Sequence, residues 1–137
     1  IKLNSDADKI FGLDKVDMNK KIYVVEGPID SLFLDNCIAV AGADFNNVQG
    51  DVTVIYDNEP RNKEIVKQIE KTINQGRSIV LWPDTLKEKD INDMILSGYT
   101  KSEIQKIIKD NTFEGVSAKL RFTGWKKINE RVISKTI

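Results

Sequence analysis

Acidic residues fall where four apolar runs end, and their types suit a divalent cation. Glu26 directly follows Val25, Asp44 lies three residues after Ala41, Asp57 directly follows Tyr56, and Asp84 lies two residues after Trp82. Where such runs are strands of one open parallel sheet, their C-terminal ends share an edge, and ligands bind along it. Carboxylates gathered there raise one another's pKa unless a cation sits among them. The 137 residues include no histidine and a single cysteine, Cys37. Metal donors in this chain are therefore oxygens, which points to magnesium or manganese.

Three local patterns sharpen this expectation. In Asp57-Asn58-Glu59 the two acids are i and i+2, so in an extended segment both face the same way and Asn58 turns aside. In Glu26-Gly27-Pro28 a glycine follows a strand-end carboxylate, allowing close approach of backbone to a ligand or a sharp entry into a helix. In Lys89-Asp90-Ile91-Asn92-Asp93 the two aspartates are three apart and share a face of a helix. Plainer roles compete. Asp44 and Asp84 suit ordinary turns, and Asp90 with Asp93 suits a helix cap. Ser31 has no base partner, and Cys37 reads as a small packed thiol. Trp82 and Trp125 read as packing residues, although Trp125 stands beside Lys126 and Lys127 and so also suits base stacking.

The elements that position these acids follow from periodicity. Residues 22–25, 38–41, 52–56 and 79–82 are continuous apolar runs, as strands covered on both faces require. Between the third and fourth, Ile65, Val66, Ile69 and Ile73 form a helical stripe, with Pro60 in its first turn and Gly76 at its C-terminal cap. A shorter helix is expected from about residue 29 to 36. Strand, helix, strand at this spacing predicts a parallel sheet with right-handed crossovers. Two helices follow, at 89–97 and after the capping box Thr100-Lys101-Ser102-Glu103. Val116, Ala118, Leu120 and Phe122 then alternate with polar residues, which predicts a strand, and residues 126–136 read as a basic closing helix.

The chain is long enough for one domain with a real core, and its 40% apolar and 31% charged residues are a globular composition. No apolar run reaches the roughly 20 residues of a membrane helix, and residues 1–20 do not read as a signal peptide. The opening Ile1 in place of Met leads one to expect a piece of a longer protein. Lys and Arg number 21, as do Asp and Glu, but the balance is uneven: residues 1–59 carry −6 and residues 60–137 carry +6. A basic half suits a polyanionic partner or ordinary surface scatter.

The motifs also carry a resemblance. Tyr23-Val24-Val25-Glu26-Gly27-Pro28-Ile29-Asp30-Ser31-Leu32 resembles the Glu-Gly motif of the Toprim domain, shared by topoisomerases and primases. Val54-Ile55-Tyr56-Asp57-Asn58-Glu59 resembles that family's second motif, and Lys89-Asp90-Ile91-Asn92-Asp93 its Lys-Asp segment in phage and bacterial-type primases. The text around these motifs resembles the primases of T-even-type bacteriophages, over roughly residues 10–125.

The resemblance implies an α/β, Rossmann-like Toprim fold: a central parallel sheet flanked by helices, with a short C-terminal strand and helix extension. It divides the chain into a lead-in at 1–20, a catalytic core at 21–111 and a basic extension at 112–137. It implies RNA primer synthesis on single-stranded DNA from ribonucleoside triphosphates, by two-metal nucleotidyl transfer with Mg2+ or Mn2+. Glu26, Asp57 and Glu59 carry over as catalytic residues, and the same three with Asp90 as metal ligands. The family's acidic pair is usually two aspartates; here the second acid is Glu59, one methylene longer and followed by Pro60-Arg61. By their place in the sequence, Arg61, Lys63 and Lys89 are candidates for triphosphate, and Lys119, Arg121, Lys126 and Lys127 for the template backbone. A replicative helicase is an expected partner, no membrane is, and the expected location is the cytoplasm of a host cell. The zinc-binding module of template-reading primases is expected outside this sequence.

Three other readings remain open on sequence. A Toprim nuclease would cleave DNA without nucleotides. A topoisomerase module needs a nucleophilic tyrosine, and Tyr23, Tyr56 and Tyr99 are the tyrosines here. A receiver-like or scaffold domain would also place acids at strand ends, but a receiver wants paired acids after its first strand, where this chain has Glu26-Gly27-Pro28.

Overall fold

Six strands form one sheet in the order β1-β3-β2-β4-β5-β6. The computed structural model describes residues 10–40 and 50–136, with side chains as far as Ile128. The strands are β1 (Ile10–Phe11), β2 (Ile22–Val25), β3 (Cys37–Val40), β4 (Val52–Val54), β5 (Ser78–Val80) and β6 (Thr112–Phe113). The four central strands run parallel, while β1 and β6 pair antiparallel at the two edges. The helices are α1 (Pro28–Ser31), α2 (Lys63–Asn74), α3 (Ile91–Leu96), α4 (Lys101–Asp110) and α5 (Gly115–Thr136). This is the mixed, mostly parallel α/β architecture that the continuous apolar runs predict. Both flanking segments of the chain add an edge strand to the same sheet.

Alternate residues of each strand feed two cores. Ile22, Val24, Ile38, Val40, Val52, Val54 and Ile79 pack with Ile65, Ile69 and Ile73 of α2 and with Ala118, Phe122 and Trp125 of α5. Val25, Ala39, Ile55, Val80 and Trp82 face the other way, onto Leu34, Leu86, Ile91, Met94, Ile104 and Ile108. A sheet sandwiched in this way has no polar face, so its strands lack alternation.

The helix boundaries differ from the sequence expectation where side-chain caps decide them. Asn62, not Pro60, starts α2: its Oδ1 accepts hydrogen bonds from the backbone N–H groups of Glu64 and Ile65 at 3.0 and 3.3 Å. Pro60 sits in the preceding turn. Gly76 follows that helix with φ +78°, as its C-terminal role requires. The helix expected over 29–36 is the single turn α1. The Thr100 capping box forms as predicted, with both reciprocal hydrogen bonds present.

The expected strand over residues 116–122 is instead the first half of α5. Ala118, Phe122 and Trp125 are buried, at spacings of four and three, while Val116 and Leu120 are 72% and 71% exposed. The apolar alternation is therefore two helical stripes seen end to end, one packed and one not. The basic helix expected at 126–136 is the second half of the same element. Among the described residues no helix is long and apolar enough to cross a membrane.

Candidate metal centre at the sheet edge

The chain passes from β2 to β3 on one side and then to β4 on the other, so the strand order reverses between β2 and β4. Such a switch point opens a crevice beyond the C-terminal strand ends. Glu26 follows β2 and Asp57 closely follows β4, so the two acids flank that crevice. The turn Gly27 into α1 brings up Asp30, which is 7% exposed.

A third segment is folded back onto this edge by Asn58. Its side-chain amide donates to the carbonyls of Leu86 and Glu88 at 2.9 and 3.0 Å, and its backbone N–H donates to the Lys89 carbonyl at 2.6 Å. Asn58 does turn away from its acidic neighbours, as the i, i+2 spacing predicts, and in doing so it brackets the loop that carries Asp90. Trp82 adds a second tie, its indole N–H donating to the Tyr56 carbonyl at 2.8 Å.

One carboxylate oxygen from each of Asp30, Asp57 and Asp90 lies within 4.8 Å of the others. Two of the three are residues expected from sequence; Asp30 is not. Asp30 stands in the quoted Glu-Gly motif, and the signal for it is position: an acid one turn past a strand-end glycine. The Asn92 N–H donates to Asp30 Oδ1 at 2.8 Å, and the Asp93 N–H to Asp90 Oδ1 at 2.8 Å. The plain role of Asp90 as the N-cap of α3 is thus real and coexists with its place in the cluster. Gly27 leaves room for this arrangement, since a Cβ there would lie 2.8 Å from Asp30 Oδ2 and the carboxylate would have to shift.

The charges are poorly compensated by protein. Burial, and then Asp30, Asp90, Glu26 and Glu59, push the Asp57 carboxyl up to about 7. Burial and then Glu59 raise Glu26. Asp30 is raised chiefly by burial, against the lowering pull of the Asn92 N–H, with Asp90 and Asp93 adding to the rise. Glu26 and Glu59 thus stand close enough to couple to the trio. The Glu59 carboxylate lies 3.5 Å from Lys89 Nζ and 3.4 Å from the Asn62 amide. Lys89 is exposed, and Glu59, with Asp57 and Asp90 adding, raises its pKa.

Three hard oxygen donors at this separation fit a small divalent cation. Around magnesium neighbouring oxygens lie about 2.9 Å apart and only opposed ones about 4.2 Å, so the trio would draw inward on an ion or reach it partly through water. A cation there would also relieve the repulsion that lifts Asp57.

The remaining expected residues lie outside the trio. Arg61 is exposed in the turn before α2, and Lys63 is exposed at its first residue. Asp84 is exposed and lines a cavity of about 130 Å3 with Asn58, Pro60 and Trp125. Asp44 lies outside the described residues. Lys119, Lys126 and Lys127 line a groove between α2 and α5, whereas the Arg121 guanidinium lies 5.6 Å from the centre of the Phe113 ring. Trp125 is 8% exposed and stacks on Phe122 at 5.8 Å, in keeping with the packing role. Ser31 donates to the Pro28 carbonyl at 2.6 Å and is buried, so it is no nucleophile. The Tyr56 phenol is buried against Thr72 at 2.7 Å.

Fold and site together define an α/β domain whose parallel strands deliver a cluster of carboxylates to a topological switch point. No family model matches the chain. Among known proteins it is similar to the DNA primase of Enterobacteria phage T4, with 37% identity over 134 residues, covering 90% of this chain and 37% of that protein. The chain therefore spans little more than a third of the relative's length. The resemblance to a T-even-type primase, carried by the three motifs, is borne out by that similarity.

Proposed function

We propose that this chain is the Toprim catalytic domain of a phage-type DNA primase, and that it joins ribonucleotides on a single-stranded DNA template. The observation that supports it most directly is the convergence of Asp30, Asp57 and Asp90 at the switch point, in a chain similar to a phage primase. Asp30, Asp57 and Asp90 would hold Mg2+ or Mn2+, with Glu26 and Glu59 beside them. Such an ion would supply charge neutralisation for the triphosphate and a lower pKa for the attacking hydroxyl. Glu26, held partly buried and raised in pKa, suits a group that accepts or returns a proton. Glu59 keeps Lys89 at the edge of the site, where the ammonium can meet phosphate oxygens. Arg61 and Lys63 stand next along the chain for the same role. The template and nucleoside triphosphates are the implied substrates, a replicative helicase the implied partner, and the host cytoplasm the implied location.

The test is ribonucleotide incorporation on single-stranded DNA by the full polypeptide that contains this chain. Asp57→Asn should abolish magnesium-dependent synthesis, and Glu26→Gln should cost at least about 10²-fold, the usual scale of a lost acid–base group. Synthesis at wild-type rate by Asp57→Asn would sink the reading. DNA cleavage by the wild-type protein without nucleotides would replace it with the nuclease alternative.

A further inference from the structure

We infer that the groove between α2 and α5 is a track for the backbone of a single nucleic-acid strand, blind to sequence. The inference rests on the primase reading for its partner. The groove itself rests on geometry.

The groove has a volume of about 450 Å3. One wall is an α5 stripe of Lys119, Thr123, Lys126 and Lys127, at helical spacings of four, three and one; the other is Glu70 and Asn74 of α2. All six side chains are exposed. Three positive charges thus face one negative. Lys119 and Lys126 are seven residues apart, about 10.5 Å along the helix, which matches roughly three nucleotides of a stacked strand.

Two observations choose the partner. The apolar floor is closed, with Ile73 and Phe122 only 3% and 7% exposed. A lipid surface would find nothing there to take up. Bases would find no free aromatic face to stack on, so the contacts left are to phosphate, and these position a strand without reading it. Arg121 is excluded from this track, since it turns to the Phe113 ring.

The probe is a fluorescent oligothymidylate, bound to this chain in EDTA at low salt, read by anisotropy. The triple variant Lys119→Glu/Lys126→Glu/Lys127→Glu should bind at least about tenfold more weakly. Its slope of log affinity against log salt should be shallower by about 2, given about 0.7 per phosphate contact on a single strand. Arg121→Glu should stay within about threefold of wild type. Glu70→Lys should bind more tightly, an outcome that damage to the fold cannot produce. Wild-type binding by the triple variant, or an equal loss with Arg121→Glu, overturns the track. So does groove-dependent binding to phosphatidylserine vesicles without binding to the oligonucleotide. Because metal is absent from the assay, these outcomes are separate from the fate of Asp57→Asn in primer synthesis.

Discussion

Asp30 and Asn92, 62 residues apart, are joined by a 2.8 Å hydrogen bond from the Asn92 backbone N–H to Asp30 Oδ1. The bond ties the turn after β2 to the start of α3, and so brings Asp90 to the switch point. It also satisfies one of the N–H groups that a helix start leaves without a partner, while Asp90 satisfies the next. Cluster and helix therefore hold each other in place.

Replacing Asp30 separates its two contributions. Asp30→Asn keeps an oxygen for the Asn92 N–H but removes charge; Asp30→Ala removes both. In urea melts without metal, Asp30→Ala should lose about 1–2 kcal/mol, the cost of leaving a partly buried donor unpaired. Asp30→Asn should fold as well as wild type or better, since a repelled charge is gone. In both variants the stabilisation by added magnesium should shrink. If Asp30→Ala keeps the full magnesium effect, Asp30 is a structural cap alone.

The Asp57 carboxyl has a definite pH signature. Its pKa is about 7 in the folded chain against an ordinary 3.8. The folded state then holds this proton more tightly than the unfolded state does, so the contribution of Asp57 to stability falls as pH rises from about 4 to 7. Without metal, Asp57→Asn should stabilise the fold at pH 8, by about 1–2 kcal/mol once the rise is discounted for partial exposure, and should change little at pH 4. With magnesium the order should reverse at pH 8, because only the wild type gains. Denaturation at the two pH values, with EDTA and with magnesium, reads all four cases. A variant less stable than wild type in EDTA at pH 8 would contradict the repulsion.

Gly27 limits the site by what it lacks. Its φ of −87° is open to any residue, so Gly27→Ala strains no backbone. The added methyl would instead meet Asp30 Oδ2 at 2.8 Å and push the carboxylate aside. The expected result is a small loss of stability, about 1 kcal/mol, with a larger loss of magnesium-induced stabilisation. Calorimetry with Mg2+ or Mn2+ checks it, and unchanged affinity would place the metal away from Asp30.

The parts of this fold legible in sequence are those fixed by local rules. The four parallel strands show as apolar runs because both sheet faces are covered, and Glu26 and Asp57 follow because strand ends are where such runs stop. Thr100 and Glu103 state their capping box outright. What local rules miss is decided by distant partners. Asp30 joins the site through Asn92 and Asp90, and Asn58 acts through the carbonyls of Leu86 and Glu88, some 30 residues on. The strands β1 and β6 are two residues each, too short to show a period. Asn36, at φ +51°, fastens the lead-in through bonds to Asp17 and Lys21 that no spacing announces.

The tail shows how a real pattern can carry two periods. Val116, Ala118, Leu120 and Phe122 alternate, yet only Ala118 and Phe122 are buried. In a strand all four would share one face, and all four would matter alike. In α5 they split into two stripes. Phe122→Ala should therefore cost about 3 kcal/mol or more, since it empties a place against Trp125, Ile73 and the sheet. Leu120→Glu should change stability by less than about 0.5 kcal/mol, the range for exposed positions. Val116→Thr should behave like Leu120→Glu. Urea denaturation of the three variants gives the pattern directly. Equal losses at positions 120 and 122 would restore the strand, whereas a loss confined to 122 requires the helix that lines the groove with Lys119, Lys126 and Lys127.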